Sequence, residues 1–406
     1  MPTRISDLKL AFLNVDNRRM DHANDSQDQE PMLWDIFCRV IDNLGDAGVC
    51  WRLCSDLVAR GHTTRLWIDE PSVLEWMYPG ATQGKHRGIQ VLDWTESANP
   101  EVLATLVPAD VWVEGFGCEI APEFIASHAQ LSVARGTKPT KFPVWINLEY
   151  LSAEPYVVRT HGLPSLLSSG AAKGSIRHFF YPGFTPQTGG LIREKDLQDR
   201  LANFDKSAWL ASHGIDCQSG PLLVSLFCYE PPALPRLLEH LANGPHAVQL
   251  LVTQGRAQSS VRAAIEHLNA SLPSWNKHEA LSISYLPYLS QRDFDHLLWS
   301  CDLNFVRGED SLVRGLWAGR PLVWQNYPQS DDAHHGKLDA FLDMLGASES
   351  LRQFHRIWND VIQFPGKLFD WQDLGLWRQT VIETRSRLLR MDDLGTQLID
   401  FAKKKR

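Results

Sequence analysis

Twice in this chain a short apolar run leads into a polar loop bearing glycine, then a helix-spaced segment, then a second apolar run. The later copy is Cys301 to Pro328, CDLNFVRGEDSLVRGLWAGRPLVWQNYP. Leu303, Phe305 and Val306 suit a buried strand, and Arg307-Gly308-Glu309-Asp310 breaks that pattern. A helix to about Ala318 follows, with Asp310 or Ser311 as its cap and Gly319 just past its end. Pro321 to Trp324 then opens the next strand. The earlier copy runs from a strand at Trp34 to Val40, through a loop at Asp42 to Gly48, to a helix at Val49 to Arg60. Val49, Leu53 and Leu57 share one face of that helix, Gly61 ends it, and Thr64 to Ile68 is the next strand. Such β-loop-α-β units are the signature of a parallel, doubly wound sheet.

The rest of the chain keeps the rhythm. Strands are expected at Ile89 to Leu92, Val111 to Glu114 and Val144 to Leu148, and Phe179 to Pro182 marks a further strand end. After a linker candidate rich in Gly, Pro and Thr (residues 183–190) comes a charged helical stretch to about Ser212. Strands at Leu222 to Phe227, Val248 to Val252 and Leu281 to Leu286 then alternate with helices, and after Gln329 helices are expected at Leu338 to Met344, Trp371 to Leu389 and Gln397 to Lys403. The 406 residues therefore divide into a polar, disordered tail at 1–31, α/β domains at 32–188 and 189–375, and a helical segment at 376–406.

Composition narrows the function. Hydrophobic residues at 44% and charged residues at 22% are ordinary for a soluble globular protein. A net charge of -8 argues against a surface devoted to nucleic-acid backbone. The apolar run Leu8 to Val15 is too short for a membrane span. Seven cysteines, without a CxxC, sit mostly in apolar runs and fit a reducing cytoplasm. The fifteen His form no HExxH pattern, so no metal site is expected. The fifteen Trp could pack or stack on ligand rings, and composition cannot decide between the two.

Two sites of chemistry stand out. A loop leaving a strand and entering a helix is suited to phosphate, because the first N–H groups of the helix have no partner and its dipole favours an anion. Arg307 adds donors and Ser311 a hydroxyl, whereas the carboxylates of Glu309 and Asp310 repel phosphate and suit a ligand that also carries hydroxyls, such as a nucleotide sugar. The alternative is an ordinary capped helix. In the first loop, Asp42 and Asp46 lie where a crevice group belongs, or simply cap the following helix. That loop offers only Gly45 and Gly48 and lacks GxGxxG, so a dinucleotide-binding dehydrogenase is disfavoured.

Two α/β domains around a cleft are the GT-B arrangement of glycosyltransferases. WDIFCRVIDNLGDAGVCWRL (34–53) and FVRGEDSLVRGLWAGRPLVWQNYPQ (305–329) together closely resemble the EarP family, bacterial arginine rhamnosyltransferases that modify elongation factor P. The resemblance covers the chain from about Trp34 to its end. It implies a GT-B fold and inverting, metal-independent transfer of L-rhamnose from dTDP-β-L-rhamnose to one arginine of elongation factor P, with no cofactor. That modification would activate the factor for relief of ribosome stalling at proline runs. It implies a C-terminal domain that holds the nucleotide and an N-terminal domain that receives the acceptor. It places the family's aspartates on Asp42 and Asp46, with Asp46 as base, and the donor residues on Arg307, Glu309, Asp310 and Ser311. Tyr229, Gln291 and Phe294 resemble further donor contacts, and Tyr288 an aromatic near the base. On the residues alone, Tyr229 and Phe294 could equally be core aromatics and Gln291 a loop residue without a ligand. Two other functions stay open: a GT-B enzyme that takes a small acceptor or epimerises a nucleotide sugar, and a nucleotide-sugar-binding regulator without catalysis.

Overall fold

The computed structural model describes residues 30–40, 45–134, 142–215, 220–328, 333–363 and 366–406. Nearly all of the expected tail and the whole of Asp42 lie outside them. Residues 32–406 form one compact unit that contains two sheets. The first uses β1 (Leu33–Cys38), β2 (Thr63–Ile68), β3 (Ile89–Asp93), β4 (Val111–Gly115), β5 (Val144–Leu148), β6 (Pro164–Leu166) and β7 (Ile176–Phe180). The second uses β8 (Leu222–Leu226), β9 (Val248–Val252), β10 (Leu281–Tyr285), β11 (Leu303–Arg307) and β12 (Leu322–Gln325).

The strand orders are β3-β2-β1-β4-β5-β7-β6 and β10-β9-β8-β11-β12. All pairings are parallel except that of β6 with β7. In both sheets the chain works outward from one strand, then returns past it to build the other half. The reversal falls between β1 and β4, and between β8 and β11. Helices diverge to opposite faces at such a point and leave a crevice outside the strand ends, where ligands bind. A cavity of about 340 Å³ lies there, lined by Trp76 and Arg52 from the first half and by Tyr229 and Arg307 from the second. Two doubly wound units sharing such a cleft make the GT-B architecture expected above.

Alternation along the first sheet sorts its side chains. Ile36, Leu66, Val113 and Ile146 enter one core cluster, while their neighbours Phe37, Trp67, Trp112 and Trp145 enter another on the opposite face. Phe124, on the helix Pro122–Ala134, packs edge-on against Phe37, Trp67 and Trp112. Eight tryptophans rank among the largest fully buried side chains, so the unusual tryptophan content is mostly packing.

The linker is a packed joint rather than a loose tether. Gly190 has φ 71° and sits against the Asp392 carbonyl, where a Cβ would overlap it. Arg193 donates to the Leu389 carbonyl at 3.0 Å. The final helix, Leu394–Lys405, starts three residues earlier than its spacing indicates, because Asp393 caps it through the Thr396 N–H at 2.9 Å. It returns to the first sheet, with Phe401 against His178 and Phe180 and with the Arg60 guanidinium on Thr396 and Asp393. The helix Glu349–Trp358 has no counterpart in the sequence reading; it is fastened to β12 by His355 Nε2, which accepts the Trp324 N–H at 3.0 Å.

Candidate active site

The donor-side loop follows β11. The helix it enters is Asp310–Ala318, and its cap position is Glu309, not Asp310 or Ser311. No side chain caps it. Ser311 instead ties the loop to itself: its Oγ accepts the Arg307 N–H at 2.9 Å and its hydroxyl donates to the Arg307 carbonyl. Gly319 is left-handed at φ 65° and ends the helix as expected.

Arg307 is fixed from the neighbouring strand. Its guanidinium lies over the rings of Phe227 and Tyr229, at 4.3 and 4.5 Å, and Nη1 donates to the Cys228 carbonyl at 3.0 Å. Tyr229 is itself held by its N–H on Gln325 Oε1 at 2.8 Å. The carboxylates that looked out of place beside a phosphate each have a cation. Arg52 Nε is 2.9 Å from Asp310, and Lys337 Nζ is 2.7 Å from Glu309. Burial still pushes both carboxyls above their ordinary range, with Arg52 and Lys337 the main opposing influences.

Arg52 is a hub. It stands on the helix Gly45–Ala59, which follows β1, and reaches Asp295 at 3.0 Å and Glu194 at 3.2 Å. Arg314 grips the same two carboxylates at 2.7 and 2.8 Å. Burial works to raise the Asp295 carboxyl, but Arg314 and then Arg52 overcome it and hold it below the usual range. The two halves therefore meet through alternating buried charges, with Glu194, just past the linker, among them.

Asp46 lies in the first turn of the helix Gly45–Ala59 and is buried at 3% exposure, so it belongs to that helix rather than to a loop. It is close enough to Glu309 for its charge to help raise the Glu309 carboxyl. Gln291 is likewise helical, as the first residue of Gln291–Ser300, behind the Ser290 cap. Its Nε2 crosses the cleft to the Gly48 carbonyl at 3.0 Å. A Cβ at Gly48 would stand 3.1 Å from that nitrogen and 3.5 Å from Asp310, so any other residue there would push the Gln291 amide back by a few tenths of an ångström. Gln291 Oε1 is buried without a partner in the described structure, a free acceptor beside the cavity.

The cavity brings Tyr229, Tyr288, Gln291, Phe294, Arg307, Glu309, Asp310 and Ser311 together. Phe294 packs on Phe227 at 5.3 Å. Tyr288 is 53% exposed and leans across the cleft onto Trp76, with ring centroids 4.7 Å apart. Sequence reasoning missed Phe227, Arg52, Trp76 and Lys337. Phe227 stands two residues before Tyr229 on the same strand end, a spacing that could have exposed it. The other three carry no local signal. Among the described residues no group of three His, Cys, Asp or Glu could hold a metal ion, and no helix is long and apolar enough to cross a membrane.

Comparison with known proteins agrees with this fold. A family profile described as "Elongation-Factor P (EF-P) rhamnosyltransferase EarP" matches residues 34–403. A protein-arginine rhamnosyltransferase of Pseudomonas aeruginosa is 40% identical over 385 residues, 91% of this chain and 98% of that protein. One of Pseudomonas putida is 42% identical over 319 residues, 76% of this chain and 80% of that protein. A solved structure described as "Structural basis for EarP-mediated arginine glycosylation of translation elongation factor EF-P" has a TM-score of 0.57 at 28% identity, covering 92% of this chain and 100% of that one.

Proposed function

The chain belongs to the EarP family and is a protein-arginine rhamnosyltransferase, and on that premise we propose that it transfers L-rhamnose from dTDP-β-L-rhamnose to one arginine of elongation factor P. The transfer inverts the anomeric centre, needs no metal ion, takes place in the cytoplasm and activates the factor for proline runs. The observation that carries this reading is the cleft itself: Arg307, Tyr229 and the start of a helix line it, and Asp46, though not itself a lining residue, is buried next to the lining residue Gly45 and near Glu309.

Each part has a physical task. The opening N–H groups of the helix Asp310–Ala318, with Arg307, receive the diphosphate. Gln291 Oε1 is a spare acceptor for a donor N–H or hydroxyl. As an acceptor guanidinium nitrogen attacks the anomeric carbon, the bond from that carbon to the phosphate oxygen breaks and its electron pair leaves with dTDP. The attacking nitrogen must lose a proton, since a guanidinium stays protonated at neutral pH. Asp46 takes that proton. Attack from the face opposite the leaving group gives inversion.

Intact mass of elongation factor P, after incubation with the enzyme and dTDP-β-L-rhamnose in EDTA, should rise by one deoxyhexose mapped to a single arginine. Asp46→Asn should lower the rate about 10²–10⁴-fold with dTDP affinity nearly unchanged. An unmodified factor, or sugar delivered only to a small acceptor, would rule the reading out. Normal turnover by Asp46→Asn would remove Asp46 as base.

A further inference from the structure

Glu309 is held from both halves of the molecule. Its Oε2 accepts the Leu151 N–H at 2.7 Å, from the loop after β5. Its Oε1 is 2.7 Å from Lys337 Nζ, on the helix Ala333–Leu345 of the other half. The Lys337 ammonium also faces the Tyr150 ring at 5.8 Å, and that ring stacks on Phe116 at 4.6 Å. Both ends of the ion pair are largely enclosed, at 17% exposure for the Glu309 side chain and 21% for that of Lys337.

The surroundings otherwise favour protonation of Glu309. Burial raises its carboxyl, and the Asp46 charge on the facing helix adds to the rise. Glu149, at the end of β5, and Glu309 repel one another, and Tyr156 on the helix Pro155–Thr160 feels the charge of both. Against these stand Lys337 and the Leu151 N–H. A protonated acid would turn one oxygen from acceptor into donor, whereas an ionised one offers about four acceptor sites. Two are used by Leu151 and Lys337, which leaves two for cationic or hydroxyl donors in the cleft.

We propose that Lys337 is a positioning residue for the transfer: its ammonium, 2.7 Å from Oε1, holds the Glu309 carboxylate turned so that its unused lone pairs serve the reacting groups. This rests on the transfer proposed above, so the test has one arm that needs no turnover.

In that arm, thermal unfolding of wild type, Lys337→Met, Glu309→Gln and the double variant is followed from pH 5 to pH 8. Without Lys337 the carboxyl rises further, so its ionisation costs the fold more as pH increases. The melting gap between wild type and Lys337→Met should widen by about 2 °C or more over that range, and should lose its pH dependence in the Glu309→Gln background. A gap that stays constant with pH overturns the proposal. In the second arm, kcat/KM is measured against pH. The acid limb should move up by about one unit in Lys337→Met, and Lys337→Arg should restore it. A uniform fall with an unmoved limb makes Lys337 merely structural. An unmoved limb with a lower KM for the acceptor makes it a stand-in for the acceptor cation. Either result overturns the assignment. A wild type that transfers nothing would sink the reaction, and the melting cycle then decides the Lys337–Glu309 pairing alone.

Discussion

Buried ionisable groups away from the cleft set how this protein answers to acid. Asp56, on the helix Gly45–Ala59, is 1% exposed; burial raises its carboxyl to about 6, against the partial relief of Arg60 at 2.8 Å. The folded value lies above the ordinary 3.8. Its contribution to stability is therefore complete below about pH 4 and lost as pH rises through 6. His355 runs the other way: burial lowers it to about 4, so its contribution is complete above 6.5 and lost as pH falls. The two oppose each other in overlapping windows, so they should partly cancel in the wild type. Asp56→Asn mimics the protonated acid. Relative to wild type it should gain up to about 3 kcal/mol between pH 4 and pH 7. Denaturant melts with a flat difference across that range would contradict this.

At the scale of elements, the helix Gly45–Ala59 is the part that serves both halves. It carries Asp46 at its start and, two turns on, Arg52 beneath the donor loop. Removing one partner of a buried ion pair leaves the others uncompensated, typically at about 3–5 kcal/mol. Arg52→Met should destabilise the fold by that order. It should also weaken dTDP binding, because Asp310 would then face the diphosphate with its charge unbalanced. Calorimetry on the folded variant that finds unchanged dTDP affinity would separate Arg52 from the donor site.

At the scale of the whole molecule, the proposed base and the donor loop follow strands of different sheets, and Glu309 bridges to Leu151 between them. An acceptor must be presented to both at once. A guanidinium alone carries too little to select one arginine on one protein, so the rest of the acceptor surface has to supply binding energy that is spent in the transition state. A short peptide bearing the modified arginine should fall below whole elongation factor P by about a hundredfold or more in kcat/KM. Equal efficiencies would place all recognition in the side chain.

Local order was fixed by the chain itself. Apolar runs of strand length, helix-spaced segments and a glycine after the donor helix place ten of the described strands to within a residue or two, because these signals act over a few neighbours. Among the described strands, β7 starts at Ile176, ahead of the apolar end that marked it, and the three-residue β6 escaped altogether, being too short to carry a pattern. The cap of the donor helix was misplaced, since Ser311 turned back to Arg307 rather than to the helix N–H groups. Tertiary structure alone decided how carboxylates could sit in a phosphate loop. Arg52 and Lys337 lie more than 250 residues upstream of Asp310 and 28 residues downstream of Glu309, and nothing in the local pattern marks them. Charge compensation acts through space over a few ångströms, so it becomes visible only once the chain has folded.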